Sequence, residues 1–413
     1  GVFALFAALG YMPISWIMAK ARKHDKAVAG ALVSIPALLG ITGVVGWVFG
    51  GWSILTFGGG IAGFFGDKLG INRMIGAKVK KATVALGAAA SKDAAWSQEK
   101  LQTHVKNIFT AYQADWSSFN LQRMQTYLTP EYFAHMQLVL TALHAMGRQN
   151  IVENPVLSKA EFIDIHDDAD NQKDSFDVFV SAQANDKLID LKDNNRVIFS
   201  DASPWYETWN FRRSGNTWLL AGITQATESV DARTQSLMQF AAGNNYFYNA
   251  DFGWLLLPTR GQLFSEAQFD RSDVNNHVIG LFRNVLVEFY SYSPSTDGVQ
   301  TYVIAQAVLP KTYGNIVVRR KKSRWSRKIK GLNAISMEAR EFNDIYEVFA
   351  SDVEQVTSFE LLHPAFMVKL IQLQYEVNIE VVDNVLYLYA TDMNLSYISM
   401  QQILKDAFDE LKL

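Results

Sequence analysis

Residues 107–140, NIFTAYQADWSSFNLQRMQTYLTPEYFAHMQLVL, decide the fold of the central part of this chain. In and just before this stretch, six bulky apolar side chains recur at offsets of 0, 4, 7, 8, 11 and 15, the spacing of one helix face. They are Leu101, Val105, Ile108, Phe109, Tyr112 and Trp116. Asn120 marks the start of a second, short helix, and Thr129-Pro130 marks the start of a third with proline in its first turn. The stretch therefore predicts three consecutive helices whose aromatic faces meet.

From Ala160 the sequence changes to the β-rich runs and polar turns that are typical of strands. Turns such as Ser214-Gly215-Asn216 separate the runs, which are AEFIDIHDD, SFDVFVSAQAND, NRVIFSD, WYETWNFRRSG and TWLLAGITQ. Three helices followed by these runs predict an α+β domain over residues 98–226, in which the helices cover one face of a curved antiparallel sheet.

This arrangement resembles the nuclear transport factor 2-like cone. More narrowly, it resembles the Tim44-like domain of the mitochondrial inner-membrane import-motor scaffold and of bacterial membrane relatives. The resemblance rests on the aromatic helix that ends in AYQADW, on YLTPEYF, and on the strand pair WYETWNFRRSGNTWLLAGI. It implies a membrane-associated adaptor with an apolar cavity that takes a lipid, an acyl chain or a partner segment, and it transfers no catalytic residue.

Eight aromatic side chains could line such a recess, and filling the core of the domain is the alternative role for the same residues. They are Phe109, Trp116, Tyr127, Tyr132, Phe133, Trp205, Trp209 and Trp218.

Residues 1–66 carry no charged side chain outside the cluster at 20–26, and they predict about three transmembrane helices. Residues 1–19 approach the length that crosses a bilayer core. Residues 27–66 contain no charged side chain, and as one helix they would span about 60 Å, roughly twice the hydrocarbon thickness. We therefore expect two crossings that turn near Gly50-Gly51. Because basic stretches flank this run on both sides, the positive-inside rule predicts a multi-pass inner-membrane protein with cytoplasmic soluble domains.

A single tilted span near residues 28–49 is the alternative, and it would place the rest of the chain on the opposite side of the membrane. A signal peptide explains residues 1–19 less well, because the basic cluster follows the apolar stretch instead of preceding it. The Ala-rich, basic residues 67–97 predict a linker or an amphipathic helix on the headgroups. Glycine surfaces in the spans suit close helix packing, so we expect a homo-oligomer or a larger membrane complex.

Residues 227–413 predict a second α+β domain. Strands are expected at HVIGLFRNVLVEFYSY, QTYVIAQAVL and GNIVVRR, and a hairpin is expected around Asp383-Asn384. This half resembles a bacterial family of unknown function found in membrane-anchored proteins, on the stretches EFNDIYEVFASD, SFELLHPAFMVKLIQL and DNVLYLYA. The chain departs from that pattern at VTSFELLHP, where the family has an Arg-containing segment and a Thr-Pro.

The run VVRRKKSRWSRKIKG is the strongest local charge feature of the chain. Anionic lipid headgroups, nucleic acid phosphates and water are the three possible surroundings of such a run. Because the chain is expected to be tethered at a membrane, we favour lipid contact and expect no nucleic acid partner. The residues concerned are Arg319, Arg320, Lys321, Lys322, Arg324, Trp325, Arg327, Lys328 and Lys330.

No motif in the sequence predicts a catalytic or metal-binding site. The seven histidines form no metal-binding spacing, no GxSxG motif is present, and the absence of cysteine excludes thiolate sites and disulfides. The carboxylate run DIHDDADNQKD has Lys173 where a calcium loop requires glycine, so a solvated connection is the favoured interpretation. We therefore expect no catalytic residue, metal or cofactor. The predicted function is a non-enzymatic scaffold in protein transport or envelope maintenance, and a lipid carrier is the alternative.

Overall fold

The computed structural model describes residues 75–226, 232–250, 252–256, 274–293, 301–321, 329–351, 360–373, 376–391 and 396–413. The predicted transmembrane helices before residue 67 lie outside these ranges. Within them, every helix is too short or too polar to cross a bilayer.

The three helices predicted in the central stretch are present. They are α2 (Gln98–Ser118), α3 (Leu121–Met124) and α4 (Pro130–Ala145). Asn120 accepts a hydrogen bond from the backbone N–H of Arg123, and Thr129 accepts one from the backbone N–H of Tyr132. Both predicted start signals therefore act as N-caps, which satisfy backbone donors that a helix leaves unpaired at its first turn.

An additional helix, α1 (75–90), precedes them, followed by a 3-10 turn at Ala94–Trp96. Helix α1 buries Leu86, and the turn buries Trp96 completely, both in the same apolar core as α2 and α4. From residue 75 onward, the region predicted as a linker or amphipathic helix is thus a helix that packs on the first domain.

Five antiparallel strands form the first described sheet, in the order β1-β2-β4-β5 with β3 also paired to β2. The strands are β1 (Arg148–His166), β2 (Ser175–Asp190), β3 (Arg196–Asp201), β4 (Trp205–Ser214) and β5 (Thr217–Gln225). The first strand begins at Arg148, well before the predicted Ala160. Three register shifts interrupt the pairing of β1 with β2, and such bulges bend a sheet, so the long pair can curve around the helices.

A second antiparallel sheet follows, with nine strands among the described residues in the order β11-β12-β10-β13-β14-β9-β8-β7-β6. Its strands are β6 (Phe247–Asn249), β7 (Val274–Phe282), β8 (Val285–Tyr292), β9 (Tyr302–Val308), β10 (Gly314–Arg320), β11 (Asn333–Ile335), β12 (Tyr346–Ala350), β13 (Val377–Asp383) and β14 (Val385–Ala390). Its helices are α5 (Ala232–Gly243), α6 (Arg340–Ile345), α7 (Pro364–Gln372) and α8 (Tyr397–Leu411).

Two turns of this sheet bear on the sequence predictions. The hairpin predicted around Asp383-Asn384 is confirmed, since Val382 pairs with Val385 across it. The stretch HVIGLFRNVLVEFYSY is not one continuous strand: Arg283 and Asn284, both with positive φ, turn it into the β7–β8 hairpin.

The two faces of the second sheet pack against different parts of the chain. On one face of β8, Phe289 contacts Phe240 of α5 and Tyr397 of α8. The next residue, Tyr290, points to the opposite face and belongs to the core that the first domain forms. The second sheet therefore lies between its own helices and the first domain, which is why β14 is buried along its whole length and β13 is buried up to Val382.

Candidate binding recess

Part of the inner face of the first sheet is filled by closely packed aromatic rings. Trp96 and Trp218 lie with ring centroids 4.6 Å apart, and Phe176 lies 4.9 Å from Trp218. Further along the sheet, Phe109 of α2 contacts Trp209 at 5.7 Å. These rings are almost completely buried, so this part of the inner face is packed like any protein core.

Another part of the same face contacts a piece of the second half of the chain, the 3-10 turn Phe252–Leu256, which we call the inserted segment. Phe252 lies 5.6 Å from Trp116 of α2, and Trp254 lies 5.1 Å from Phe199 of β3. The Arg148 guanidinium donates a hydrogen bond to the Leu255 carbonyl oxygen at 2.9 Å. Both aromatic side chains and backbone of the inserted segment are therefore held by the first domain.

The inserted segment leaves a cleft of about 100 Å³ between itself and the sheet. Its wall combines aromatic, aliphatic and polar side chains from both halves of the chain: Tyr112, Gln113, Trp116, Asn150, Val152, Asp186, Trp205, Glu207, Ile223, Phe252, Trp254 and Leu255. Pockets that bind drug-sized molecules usually enclose about 300–1,000 Å³. The cleft is therefore large enough for one side chain or a few water molecules, and too small for a long acyl chain.

Hydrogen bonds fix the polar part of this wall. The Trp116 indole N–H donates to Asn150 Oδ1 at 2.6 Å, and Asn150 Nδ2 donates to Asp186 Oδ1 at 2.6 Å. On the neighbouring strand, the Trp209 indole N–H donates to Glu207 Oε2 at 2.9 Å. Two carboxylates are thus placed on β2 and β4 with defined orientations.

A buried polar group anchors the inserted segment to the second sheet. Gln306 Nε2 donates to the Leu256 carbonyl oxygen at 3.0 Å, and Gln306 Oε1 accepts from the Tyr290 hydroxyl at 2.7 Å. His277 Nε2 lies 3.0 Å from Glu288 Oε2, with both side chains fully buried. Burial raises the pKa of Glu288, and its His277 partner opposes that shift.

His135 of α4 lies where the first domain contacts β6 and the inserted segment. Its ring stacks on Phe247 with centroids 5.0 Å apart, and Phe252 lies 5.9 Å away. Burial, with a smaller contribution from His277, lowers the pKa of His135 to about 3. His135 is therefore a neutral aromatic contact in the folded protein at physiological pH.

Two protein families match parts of this chain. The family described as Tim44-like domain matches residues 82–225, and a family of unknown function, DUF3137, matches residues 300–408. Because residues 82–225 match that family model, we call this part of the chain the Tim44-like domain. Both resemblances drawn from the sequence are thereby confirmed.

Two solved structures are similar to parts of this chain. The intermembrane space region of the chloroplast protein ARC6 is 13% identical and matches 30% of this chain and 94% of its own length, with a TM-score of 0.24. The mycobacterial trehalose monomycolate transport factor A, TtfA, is 12% identical and matches 43% of this chain and 92% of its own length, with a TM-score of 0.31. No curated protein matches the chain.

The eight aromatic residues predicted for the recess of the Tim44-like domain occupy two kinds of position. Trp116 and Trp205 lie on the wall of the cleft. The other six lie away from it: five are buried in the core and one is half-buried against it, namely Phe109, Tyr127, Tyr132, Trp209, Trp218 and Phe133. Whether a ligand binds at the two wall residues stays a prediction.

The structure describes four of the nine residues predicted in the basic run. Arg319 pairs with Glu347 on the adjacent strand, and its guanidinium lies 4.8 Å from the centre of the Phe349 ring. Lys321 donates a hydrogen bond to the Asn343 carbonyl oxygen, and Lys330 is exposed. The remaining predicted residues divide into Arg320, which is half-buried, and five outside the described ranges: Lys322, Arg324, Trp325, Arg327 and Lys328.

The carboxylate run DIHDDADNQKD forms a local turn at the edge of the Tim44-like domain. Asp174 is fully buried, accepts a hydrogen bond from the backbone N–H of Asp168, and pairs with Arg213 at 2.9 Å. Arg213 also pairs with Asp93 at 2.6 Å. In the described ranges, no three His, Asp or Glu side chains are grouped as metal ligands would be.

Sequence reasoning missed the inserted segment and the polar wall beside it. The segment lies in the stretch NNYFYNADFGWLLLP, whose density of aromatic residues was visible, but nothing local indicates that it packs against helices more than a hundred residues earlier. Asn150, Asp186 and Glu207 were hidden for another reason. Asn150 follows Gln149, and Asp186 stands between Asn185 and Lys187, so nothing in the local sequence separates these residues from solvent-facing polar residues.

Proposed function

We propose that this chain is a membrane-anchored, non-enzymatic scaffold that holds a segment of a partner protein at the recess of its Tim44-like domain. The observation that supports the proposal is the inserted segment itself. Five residues, Phe252–Leu256, pack into the recess through aromatic contacts and through the Arg148 hydrogen bond to a backbone carbonyl. A surface that binds a short piece of polypeptide in this way has the chemistry needed for a second one in the adjoining cleft.

In this proposal the segments before residue 67 hold the protein in the inner membrane and the basic run contacts anionic headgroups on the cytoplasmic side. Assembly into an oligomer or a larger membrane complex would bring several recesses together. The pathway, protein transport or envelope maintenance, follows from the family resemblance alone.

Lipid carriage is the second candidate, because the recess is lined by aromatic rings. The volume of about 100 Å³ argues against it, since an acyl chain would have to displace the inserted segment. That displacement would expose Trp254, Leu255 and Leu256, each at most 2% exposed in the folded protein.

Photo-crosslinking tests the proposal. A benzoyl-phenylalanine at Trp205, which is half-buried on the cleft wall, should yield one discrete protein product in native membranes. Mass spectrometry should place the attachment within a single peptide of one partner. The same probe at the exposed Lys159, on β1 away from the cleft, should not give this product.

Native mass spectrometry of the detergent-extracted protein separates the two candidates. A lipid that remains bound in stoichiometric amount, and that is lost when Trp116 is replaced by Ala, would favour the carrier. Failure of the Trp205 probe to form any protein product in membranes would overturn the scaffold proposal.

A further inference from the structure

One buried polar side chain on the cleft wall has an amide that the fold does not use. Gln113 of α2 lines the cleft and is only 7% exposed. Ser117 Oγ donates to its backbone carbonyl oxygen at 2.8 Å, whereas its side-chain amide is hydrogen-bonded to none of the described residues. Native proteins rarely leave a buried amide unpaired, because the lost hydrogen bonds to water are then not replaced. The partner of the Gln113 amide is therefore water or a bound molecule.

The polar groups next to Gln113 on the same helix are used within the protein. The Tyr112 hydroxyl donates to Met136 Sδ at 3.2 Å. One turn after Gln113, the Trp116 indole N–H donates to Asn150 Oδ1 at 2.6 Å. The free amide is thus a property of one position on this face and not of the whole face.

The backbone of α2 is held on β1 at this position. Ser117 Oγ donates to the Gln113 carbonyl oxygen and accepts from the backbone N–H of Val152 at 2.9 Å. Gln149 Nε2 donates to the Ser117 carbonyl oxygen at 2.6 Å. A side chain on a fixed backbone, already buried by its neighbours, loses little conformational freedom when a ligand binds.

The geometry of a glutamine amide restricts which groups can pair with both its oxygen and its nitrogen. The oxygen accepts and the NH₂ group donates, side by side in one plane. A second primary carboxamide presents the same two groups side by side, so the two amides can form a pair of hydrogen bonds. A trans peptide unit holds its C=O and N–H on opposite sides, so one such unit can supply only one of the two partners.

The size and shape of the cleft suit a small planar group. Its volume is about 100 Å³, and its wall includes the flat rings of Trp116, Trp205 and Phe252. Aromatic rings offer large apolar faces against which the methylene groups and the flat face of a carboxamide can pack. The end of one asparagine or glutamine side chain therefore fits the space.

The charges around the cleft favour a neutral occupant. Asp186 and Glu207 lie on its wall, and the Arg148 guanidinium lies beside the same wall, at the Leu255 carbonyl oxygen. An ionic group of either sign would approach a charge of its own sign, which a carboxamide avoids.

We infer that the cleft binds the side-chain carboxamide of an asparagine or glutamine on the partner segment, and that Gln113 is the residue that recognises it. The inference rests on the proposed function and adds the chemical identity of the anchoring side chain. Gln113 Nε2 donates to the carboxamide oxygen of the partner, and Gln113 Oε1 accepts from its NH₂ group. An apolar side chain of the same size would cover the Gln113 amide without pairing it, so the cleft discriminates against it.

The test uses the full chain in detergent and six peptides of the form acetyl-Gly-Xaa-Gly-N-methylamide, in which Xaa is Gln, Asn, Met, Glu, Lys or Gly. The N-methylamide end ensures that only the Gln and Asn peptides carry a primary carboxamide. Binding at millimolar concentration is followed by tryptophan fluorescence. The better of the Gln and Asn peptides should bind about tenfold more tightly, or more, than each of the other four.

Variants of α2 locate the site. Gln113→Met keeps a long side chain of similar helix propensity and removes the amide, so it should lower the affinity for the better carboxamide peptide to that for the Met peptide. Gln102→Met is the matched control, because Gln102 is an exposed residue of the same helix and does not line the cleft. Gln113→Leu is the second cleft variant in case Gln113→Met shifts the urea midpoint.

Three results would overturn the inference. Equal affinity for the Gly peptide and the carboxamide peptides would mean that backbone is bound. Tighter binding of the Met, Glu or Lys peptide would identify another class of side chain. Absence of binding by all six peptides would leave water as the partner of the Gln113 amide. Loss of the carboxamide preference in Gln102→Met to the same extent as in Gln113→Met would exclude Gln113 as its cause.

The Trp205 crosslink separates this inference from the scaffold proposal. A crosslink to a partner peptide that lacks Asn and Gln, together with no preference among the six peptides, would leave the scaffold proposal standing and remove only the carboxamide. Carboxamide-selective binding without any Trp205 crosslink in membranes would remove the scaffold proposal and leave the specificity of the cleft in place.

Discussion

Replacing His135 by Phe should stabilise this protein, and the gain should be larger at pH 5 than at pH 7.5. The imidazole stacks on Phe247, and its Nε2 has no hydrogen-bond partner within the described ranges. A phenyl ring keeps the stack and removes the unpaired nitrogen, whose burial costs about 1–3 kcal/mol. We expect a gain of about 1 kcal/mol at pH 7.5, since some of the penalty will be offset by imperfect packing.

The additional gain at acidic pH follows from the lowered pKa of His135. The unfolded chain binds a proton on this residue below its ordinary pKa of 6.5, whereas the folded protein binds it only below about 3. Stability from this residue is therefore complete above pH 6.5 and is lost as the pH falls toward 3. With about 1.4 kcal/mol per pH unit, the loss between pH 7.5 and pH 5 is roughly 2 kcal/mol.

Other ionisable groups lie near His135, so the stability of the variant must be compared with that of the wild type at each pH. His277 and Glu288 lie across from His135 on the second sheet, and Tyr132 lies on its own helix. The raised pKa of Glu288 makes stability fall as the pH rises above 4.5, which is the opposite direction. This contribution is common to both proteins and is removed in the difference between them.

The assay is urea unfolding of the full chain in mild detergent at pH 7.5, 6 and 5, followed by tryptophan fluorescence. The free-energy difference between His135→Phe and wild type should grow by about 2 kcal/mol over this range. Phe252→Leu is the control, because it removes a ring that contacts His135 without changing a titrating group, and it should destabilise equally at each pH. A difference that stays constant within about 0.5 kcal/mol would refute the burial argument.

Three further predictions concern other residues. Arg213→Gln should lower the free energy of unfolding by about 3–5 kcal/mol, because it leaves the fully buried Asp174 without its cationic partner; urea unfolding measures it. Gly280→Ala should cost about 3 kcal/mol in the same assay, since the new Cβ would lie 1.9 Å from Cδ1 of Tyr246. Neutralising Lys322 and Lys328 to Gln should weaken co-sedimentation of residues 75–413 with anionic vesicles by about 2 kcal/mol, at about 1 kcal/mol per charge near the surface.

Two of these predictions have a matched control. Gly222→Ala should change stability little, because no atom lies within 4 Å of the new Cβ, and an equal loss there would contradict the steric explanation. Lys159→Gln removes an exposed charge from the Tim44-like domain and should not affect vesicle binding. Unchanged binding of the Lys322 and Lys328 double variant would remove lipid contact from the proposed function. An Arg213→Gln protein as stable as wild type would contradict the argument that the buried Asp174 depends on its cationic partner.

Local signals were sufficient for most of the first domain. The helix-face spacing from Leu101 to Trp116, and the N-caps Asn120 and Thr129, act over a few residues and can be recognised without tertiary information. The hairpin at Asp383-Asn384 was equally local. The start of β1 was missed because its first half lies next to α4 and carries no regular alternation.

The division of the aromatic residues between core and cleft could not be predicted. Trp218 and Trp205 both lie on strands and differ only in what faces them: Trp96 packs on the first, and the cleft opens beside the second. The pairing of residues in the basic run could not be predicted from the sequence either. Arg319 looks like its neighbours in the sequence, yet it is paired with Glu347, which lies 28 residues further along the chain. Such pairings are decided by strand order, which local patterns do not contain.

The position of Phe252–Leu256 has a consequence for how the protein is made. Burial of a large apolar side chain contributes about 1.5–3 kcal/mol, and Trp254, Leu255 and Leu256 together supply several such contributions to a domain that ends near residue 225. During synthesis, the Tim44-like domain thus remains incomplete until residue 256 has left the ribosome. A shortened chain that stops at residue 226 would expose the aromatic side chains that contact Phe252–Leu256 in the full chain. We therefore expect it to aggregate under conditions in which the longer chain does not.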